Sequence, residues 1–204
     1  MNAEALDDGV VDLAFALNGR AVADDYAELL WSGLRAALPW LADNAAAGVH
    51  PLSGISPGQG EHYLSRRSRL VLRLAKEDVE RAQALSGMRL DLGSPVEVGA
   101  ATVRALGPAQ VLYSSFVELG TADEPLFLAE CRSLLAAMAV EGKMVAGKAR
   151  SMTVAGRELQ GYSLMLHGLG AAASLRLQHR GLGAGRKHCC GVFVPHKSIA
   201  AVGE

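Results

Sequence analysis

Apolar and polar residues alternate from Val10 to Leu17, where Val11, Leu13, Phe15 and Leu17 share one parity, and this predicts a strand closed by the turn signal Asn18-Gly19. The period then changes. Tyr26, Leu29, Leu30, Leu34 and Leu38 recur at three-and-four spacing behind a possible Asp24 or Asp25 cap, with Pro39 near the end, as in an amphipathic helix. Residues 49–55 read as extended, 56–60 as a loop, and 68–74 as a strand with Leu70, Leu72 and Leu74 on its core face. A short helix over 76–85 carries Glu77 and Asp78 in its first turn, where the helix dipole favours them, and 88–98 is strand-like but broken at Gly93.

A similar order follows. Strands are predicted over 101–106 and 111–117, the longest helix over 124–140, and extended segments over 144–149 and 161–167 around a hairpin at 152–159 turning at Ala155-Gly156. A helix over 170–179 and a closing strand at 192–194 complete the pattern. Two copies of a split βαβ unit account for it, giving an α+β fold of tandem ferredoxin-like (RRM-type) domains with antiparallel sheets. The division falls near Gly99, into domains 1–99 and 100–204.

Composition agrees with a folded protein: the chain has 204 residues and is 50% hydrophobic, with 23 glycines against 7 prolines and no collagen-like period. Its net charge of −1 is an average. Residues 1–141 hold 11 Lys and Arg against 19 Asp and Glu, net −8, whereas residues 142–204 hold 9 against 2, net +7. Such a division suits either packing of complementary halves or polyanion binding by the C-terminal third. The three cysteines, Cys131, Cys189 and Cys190, and the absence of a basic and apolar leader pattern argue against a secreted disulfide framework and for a cytoplasmic location. No apolar run reaches the roughly 20 residues of a membrane span.

Candidate chemistry concentrates in three places. The segment from Gly181 through Gly183 and Gly185 to Arg186, Lys187 and His188 combines backbone freedom with adjacent cationic donors, as in a loop that grips phosphate; a flexible turn with a solvated charge patch is the alternative. It is neither a Walker loop nor a dinucleotide fingerprint. In the second cluster, Arg66 and Arg67 precede the strand on which Arg69 and Arg73 share parity with Val71, so both guanidiniums are expected on the face opposite the leucines. Among histidines, His50 at a loop-to-strand junction and His62 in a polar loop beside Tyr63 are placed for proton transfer or are ordinary surface residues. Cysteine and histidine spacing gives no metal-ligand array, and no nucleophile elbow is present.

The stretch Gly48-Val49-His50-Pro51-Leu52, the run from Leu64 to Leu74 and the ending from Gly181 through Gly191-Val192-Phe193-Val194-Pro195-His196-Lys197 resemble the CRISPR repeat-RNA processing endoribonucleases, specifically the short form of the myxobacterial type I subtype. The likeness covers nearly the whole chain. It implies two ferredoxin-like domains that bind the repeat of a CRISPR precursor transcript, expected as a stem-loop, and cut once per repeat without metal or cofactor. In such a reaction the 2'-hydroxyl attacks the adjacent phosphate, leaving a 2',3'-cyclic phosphate and a 5'-hydroxyl, so the substrate must be RNA.

Carried onto this sequence, the resemblance makes His50 the general base or acid, Tyr26 or Tyr63 a second proton-relay group, and Arg66, Arg67 or Arg69 a stabiliser of phosphorane charge. His62 is the replacement if Tyr26 points away from the glycine-rich loop. Arg66, Arg69, Arg73, Gly181, Gly183, Gly185, Arg186, Lys187 and His188 are the expected RNA contacts. With 5% aromatic residues, recognition by stem-loop shape is favoured over base stacking. A second reading is a non-cleaving subunit that holds guide RNA among other CRISPR effector subunits.

Overall fold

A computed structural model describes residues 9–56 and 60–196; residues 57–59 of the expected loop, and Lys197 of the C-terminal motif, lie outside the described residues. The first unit runs β1 (Val10–Asn18), β2 (Ala21–Ala23), α1 (Tyr26–Ala37), β3 (Gly48–Val49), β4 (Glu61–Tyr63), β5 (Arg69–Ala75), the one-turn helix α2 (Val79–Ala82) between two 3-10 turns, β6 (Arg89–Asp91) and β7 (Pro95–Ala105). The second runs β8 (Val111–Glu118), α3 (Glu124–Ala137), β9 (Lys143–Val154), β10 (Arg157–His167), α4 (Ala171–Arg180) and β11 (Val194–Pro195). A five-stranded antiparallel sheet of order β3-β5-β1-β7-β6 and a four-stranded one of order β11-β8-β10-β9 form the two layers, with β2 and β4 paired separately.

Both sheets place the first strand of their unit centrally, which is ferredoxin-like topology. Alternation drives the first layer: Val11, Leu13, Phe15 and Leu17 of β1 and Leu70, Leu72 and Leu74 of β5 are buried, with Leu30, Trp31 and Leu34 of α1 in the same core. Each such side chain contributes about 1.5–3 kcal/mol on burial. The second core gathers Leu112, Phe127, Cys131, Leu135, Leu164, Leu166 and Leu177. At the start of α3, Asp123 accepts a hydrogen bond from the Leu126 N–H at 2.9 Å, whereas Asp25 before α1 makes no such side-chain cap.

Several predicted segments merge. The break at Gly93, with φ +84, separates β6 from β7 as a hairpin, and β7 stays paired to β1 as far as Ala105, opposite Val11. Gly99 therefore lies within a continuous strand, and residues 101–105 belong to the first sheet instead of opening the second. In the same way the pieces predicted between 144 and 167 are two long strands, β9 and β10, joined at Ala155-Gly156, whose φ values of 47 and 76 suit a tight hairpin. Short-range alternation marks a strand but does not reveal that two neighbouring runs are one.

A candidate active site at the seam of the two units

The glycine-rich loop leaves α4 at Gly181 and is laid along β8. The Ala184 N–H donates to the Glu118 carbonyl at 3.3 Å, the Gly191 N–H to the Phe116 carbonyl at 2.7 Å, and the Leu182 N–H to the Gly191 carbonyl at 3.1 Å. Gly183 has φ +75, and a Cβ there would stand 2.3 Å from the Glu118 carbonyl oxygen. Close approach of the chain to itself explains this glycine; the loop is braced, not an open cradle.

Past Gly185 the chain makes a 3-10 turn, Arg186–His188, against the first unit. Lys187 donates to the Ala42 carbonyl and lies 5.4 Å from the Trp31 ring, while His188 Nε2 is 3.5 Å from Glu28 Oε2 with its ring edge-on to Trp31. Both side chains thus engage α1 and the segment after it. Cys189, at φ 65, packs in the first core and its thiol donates to the His50 carbonyl at 3.6 Å; Cys190 turns to Met152 of β9. Burial pushes both thiols up, that of Cys190 to about 12, so they are neutral.

Beneath this turn sits a buried ionic cluster. Arg73 of β5 is 0% exposed: its Nε and one terminal nitrogen donate to Asp12 at 2.8 and 3.0 Å, and the other terminal nitrogen donates to the Gln178 and Phe193 carbonyls at 2.9 and 2.7 Å. The strand parity is as expected, but the face is covered by the second unit. Arg73 is therefore an internal joint and not an RNA contact, which corrects the reading of this residue. His50 Nε2 lies 3.1 Å from Asp12 Oδ1, and the histidine is 7% exposed. Burial holds its pKa below the ordinary value, against the opposing pull of Asp12. Burial alone would raise the Asp12 carboxyl, yet hydrogen bonds from His50 and Arg73 hold it well below the usual carboxylate range.

Arg186 completes the cluster. A Cβ on Gly48, two residues from His50, would meet its guanidinium at 3.1 Å, and its Nε and Nη2 are buried without a hydrogen-bond partner among the described residues. Burial, helped by the nearby Arg73 charge, pushes its pKa down to about 10, so it stays cationic at neutral pH. Two guanidiniums thus face one carboxylate and a histidine kept largely neutral. Among the described residues no carboxylate pairs with Arg186, an arrangement suited to an anionic ligand.

A cleft of about 860 Å³ reaches Pro51, next to His50 in the chain, and Cys189 of the loop, and is lined also by Tyr26 and His62 from the first unit and by Ser115, Arg150 and Met152 from the second; Asp12, His50, Arg73 and Arg186 are not part of its lining. Tyr26 faces Cys189 of the loop; its hydroxyl accepts the Leu52 N–H at 2.8 Å, and burial raises its pKa. His62 lies 5.4 Å from the Tyr26 ring, with Nδ1 on Ser56 Oγ at 2.8 Å. Tyr63 is placed elsewhere: its hydroxyl donates to Glu61 at 2.7 Å, in a separate crevice with Arg20 and Pro95. Arg66 and Arg67 are exposed on the turn before β5, and Arg69 donates to the carbonyls of Arg66 and Ser68 at 2.8 Å. The structure therefore joins His50 to Arg186, and Tyr26 to His62, but not Tyr63 to either pair. Asp12 is the residue sequence reasoning missed; its signal is a lone carboxylate inside the apolar run Val10 to Leu17.

The fold and this seam define a tandem ferredoxin-like protein with an anion-ready cationic cluster between its units. The chain belongs to the Cas6 CRISPR family, whose pattern it matches over residues 11–198. It is 35% identical over 194 residues to the CRISPR-associated endonuclease Cas6 of Myxococcus xanthus strain DK1622, covering 94% of this chain and 84% of that one. Its fold is shared with the product of a Cas6-related gene from Pyrococcus furiosus, at TM-score 0.63 and 14% identity over 91% of this chain and 98% of the other. The Thermus thermophilus Cse3 bound to an RNA representing a pre-cleavage complex gives TM-score 0.54 and 16% identity, over 91% and 98%. Among the described residues no helix is long and apolar enough to cross a membrane.

Proposed function

We propose that this protein is an endoribonuclease that binds the repeat of a CRISPR precursor transcript and cuts it once per repeat by metal-independent transesterification. The reading is supported by the Cas6 relationship and by one observation above others: His50 is hydrogen-bonded to Asp12 beside Arg186, whose guanidinium has buried nitrogens without partners among the described residues. The 2'-hydroxyl loses its proton to His50 as the oxygen attacks phosphorus in line. Arg186 carries the charge that develops on the phosphorane, and the 5'-oxygen leaves. Products are a 2',3'-cyclic phosphate and a 5'-hydroxyl. Tyr26 and His62 line the cleft that receives the strand, and Arg66, Arg67 and Arg69 hold backbone phosphates at its approach.

Incubating the protein with repeat RNA in EDTA tests this, with a parallel substrate carrying a 2'-deoxy sugar at the scissile position. Cyclic-phosphate product from the first and none from the second is expected. Cutting of both, only when metal is supplied, would replace the mechanism; RNA binding without product would indicate a guide-holding subunit. In the H50A variant, cleavage should fall about 10²–10⁴-fold with RNA affinity retained.

A further inference from the structure

Packing does not account for Asp12. Its neighbours on β1, Val11 and Leu13, are buried, Leu13 in the first core, while Asp12 occupies the opposite face between Arg73 on β5 and Arg104 on β7. Its two oxygens take Nε and Nη2 of Arg73 at 2.8 and 3.0 Å, a fork that fixes the carboxylate plane, and Oδ1 is also 3.1 Å from His50 Nε2. The carboxylate can only accept. A neutral imidazole at that distance must therefore carry its single proton on Nε2, leaving the Nδ1 lone pair free to take another.

We propose that Asp12 is the positioning residue of His50, fixing the Nε2–H form of the ring so that Nδ1 is the atom that exchanges a proton with the substrate. This rests on the reading of His50 as the proton-transfer group. In the cleavage step the 2'-hydroxyl proton moves to Nδ1, the 2'-oxygen bonds to phosphorus, and the bond from phosphorus to the 5'-oxygen breaks. That oxygen leaves with the electron pair and takes a proton from water. The imidazolium left behind is stabilised by Asp12 across the Nε2–H bond. The charged groups around the ring otherwise oppose it: Arg73 on β5 and Arg186 on the loop both disfavour the cation, Arg104 stands across from Asp12 on β7, and the Cys189 thiol at the His50 carbonyl is neutral. Asp12 supplies the compensating negative charge.

Two measurements test the proposal. Long-range ¹H–¹⁵N correlation of the histidine rings in the wild-type protein should show neutral His50 protonated on Nε2; protonation on Nδ1 instead would overturn the proposal without any activity assay. Single-turnover cleavage of repeat RNA from pH 5 to 9 then compares wild type, D12N and D12E. For D12N, the plateau rate should fall roughly tenfold or more, and the acid limb should move to lower pH because the charge that raises the His50 pKa is gone, with RNA affinity within about twofold. D12E, which keeps the charge, should recover part of the rate. A D12N profile matching wild type in rate and pH would sink the idea. Should D12N fail to fold, the wild-type tautomer decides. If H50A cleaves at the wild-type rate, the catalytic reading of His50 falls, and the tautomer alone judges whether Asp12 orients the ring.

Discussion

A carboxylate and a histidine buried together make opposite demands on protons. Asp12 is held well below the usual carboxylate range because His50 and Arg73 outweigh the burial that would raise it, and His50 is held low chiefly by burial. Both folded pKa values lie below their unfolded ones, near 3.9 and 6.5. Each group therefore contributes stability that is fully present above its unfolded pKa and lost as pH falls toward the folded one. Wild-type Tm should decline first below about pH 6.5, as unfolded His50 gains its proton, and more steeply below about pH 4, as unfolded Asp12 does. Thermal melts from pH 3 to 8 check this: D12N should melt lower at pH 7 and lack the steep limb below pH 4. Retention of that limb in D12N would assign it to other carboxylates.

The glycine-rich loop shows what an element can conceal from its sequence. Gly191 has φ +62, and a Cβ there would stand 2.0 Å from the Leu182 carbonyl oxygen. G191A should therefore lose about 1–3 kcal/mol from backbone strain alone, plus the clash, and its Tm should drop by at least about 4 °C. A drop under 1 °C would mean that the loop yields. The sequence marks this loop by its glycines and cations, and the first sheet by the alternation of Val11 to Leu17 and Leu70 to Leu74. It does not show that Gly183 packs against β8 and Gly191 against Leu182 of the loop itself, since positive φ and close approach leave the same residue behind whichever partner causes them. Arg73 was misread for a related reason. Strand parity gives its face, but only the placing of Gln178 and Phe193, more than 100 residues later, decides whether that face meets solvent. His50 and Arg186 are individually visible, whereas their meeting around Gly48 is a product of tertiary structure.

At the scale of the whole molecule, two separate cores are joined in part by buried contacts. Arg73 donates from the first sheet to the end of α4 and to Phe193, and Cys189 from the loop of the second unit enters the first core. Replacing Arg73 by methionine keeps much of the side-chain volume but leaves the Asp12 carboxylate without its bidentate partner and two interior carbonyls without a donor. Breaking a buried pair in this way costs about 3–5 kcal/mol, a Tm loss of roughly 10 °C in a chain of this size. It should also uncouple the units. Both tryptophans, Trp31 and Trp40, lie in the first unit, with Trp31 against His188 of the loop, so their fluorescence follows that unit and the docking of the loop while far-ultraviolet circular dichroism follows the whole chain. Wild-type melts by the two probes should coincide, as for one cooperative transition, and those of R73M should separate. Coincident R73M melts within about 2 °C of wild type would show that the loop alone holds the units together. Separated melts with weakened cleavage would make the joint part of the active site, because Arg73 holds Asp12 and the same seam brings Arg186 to His50.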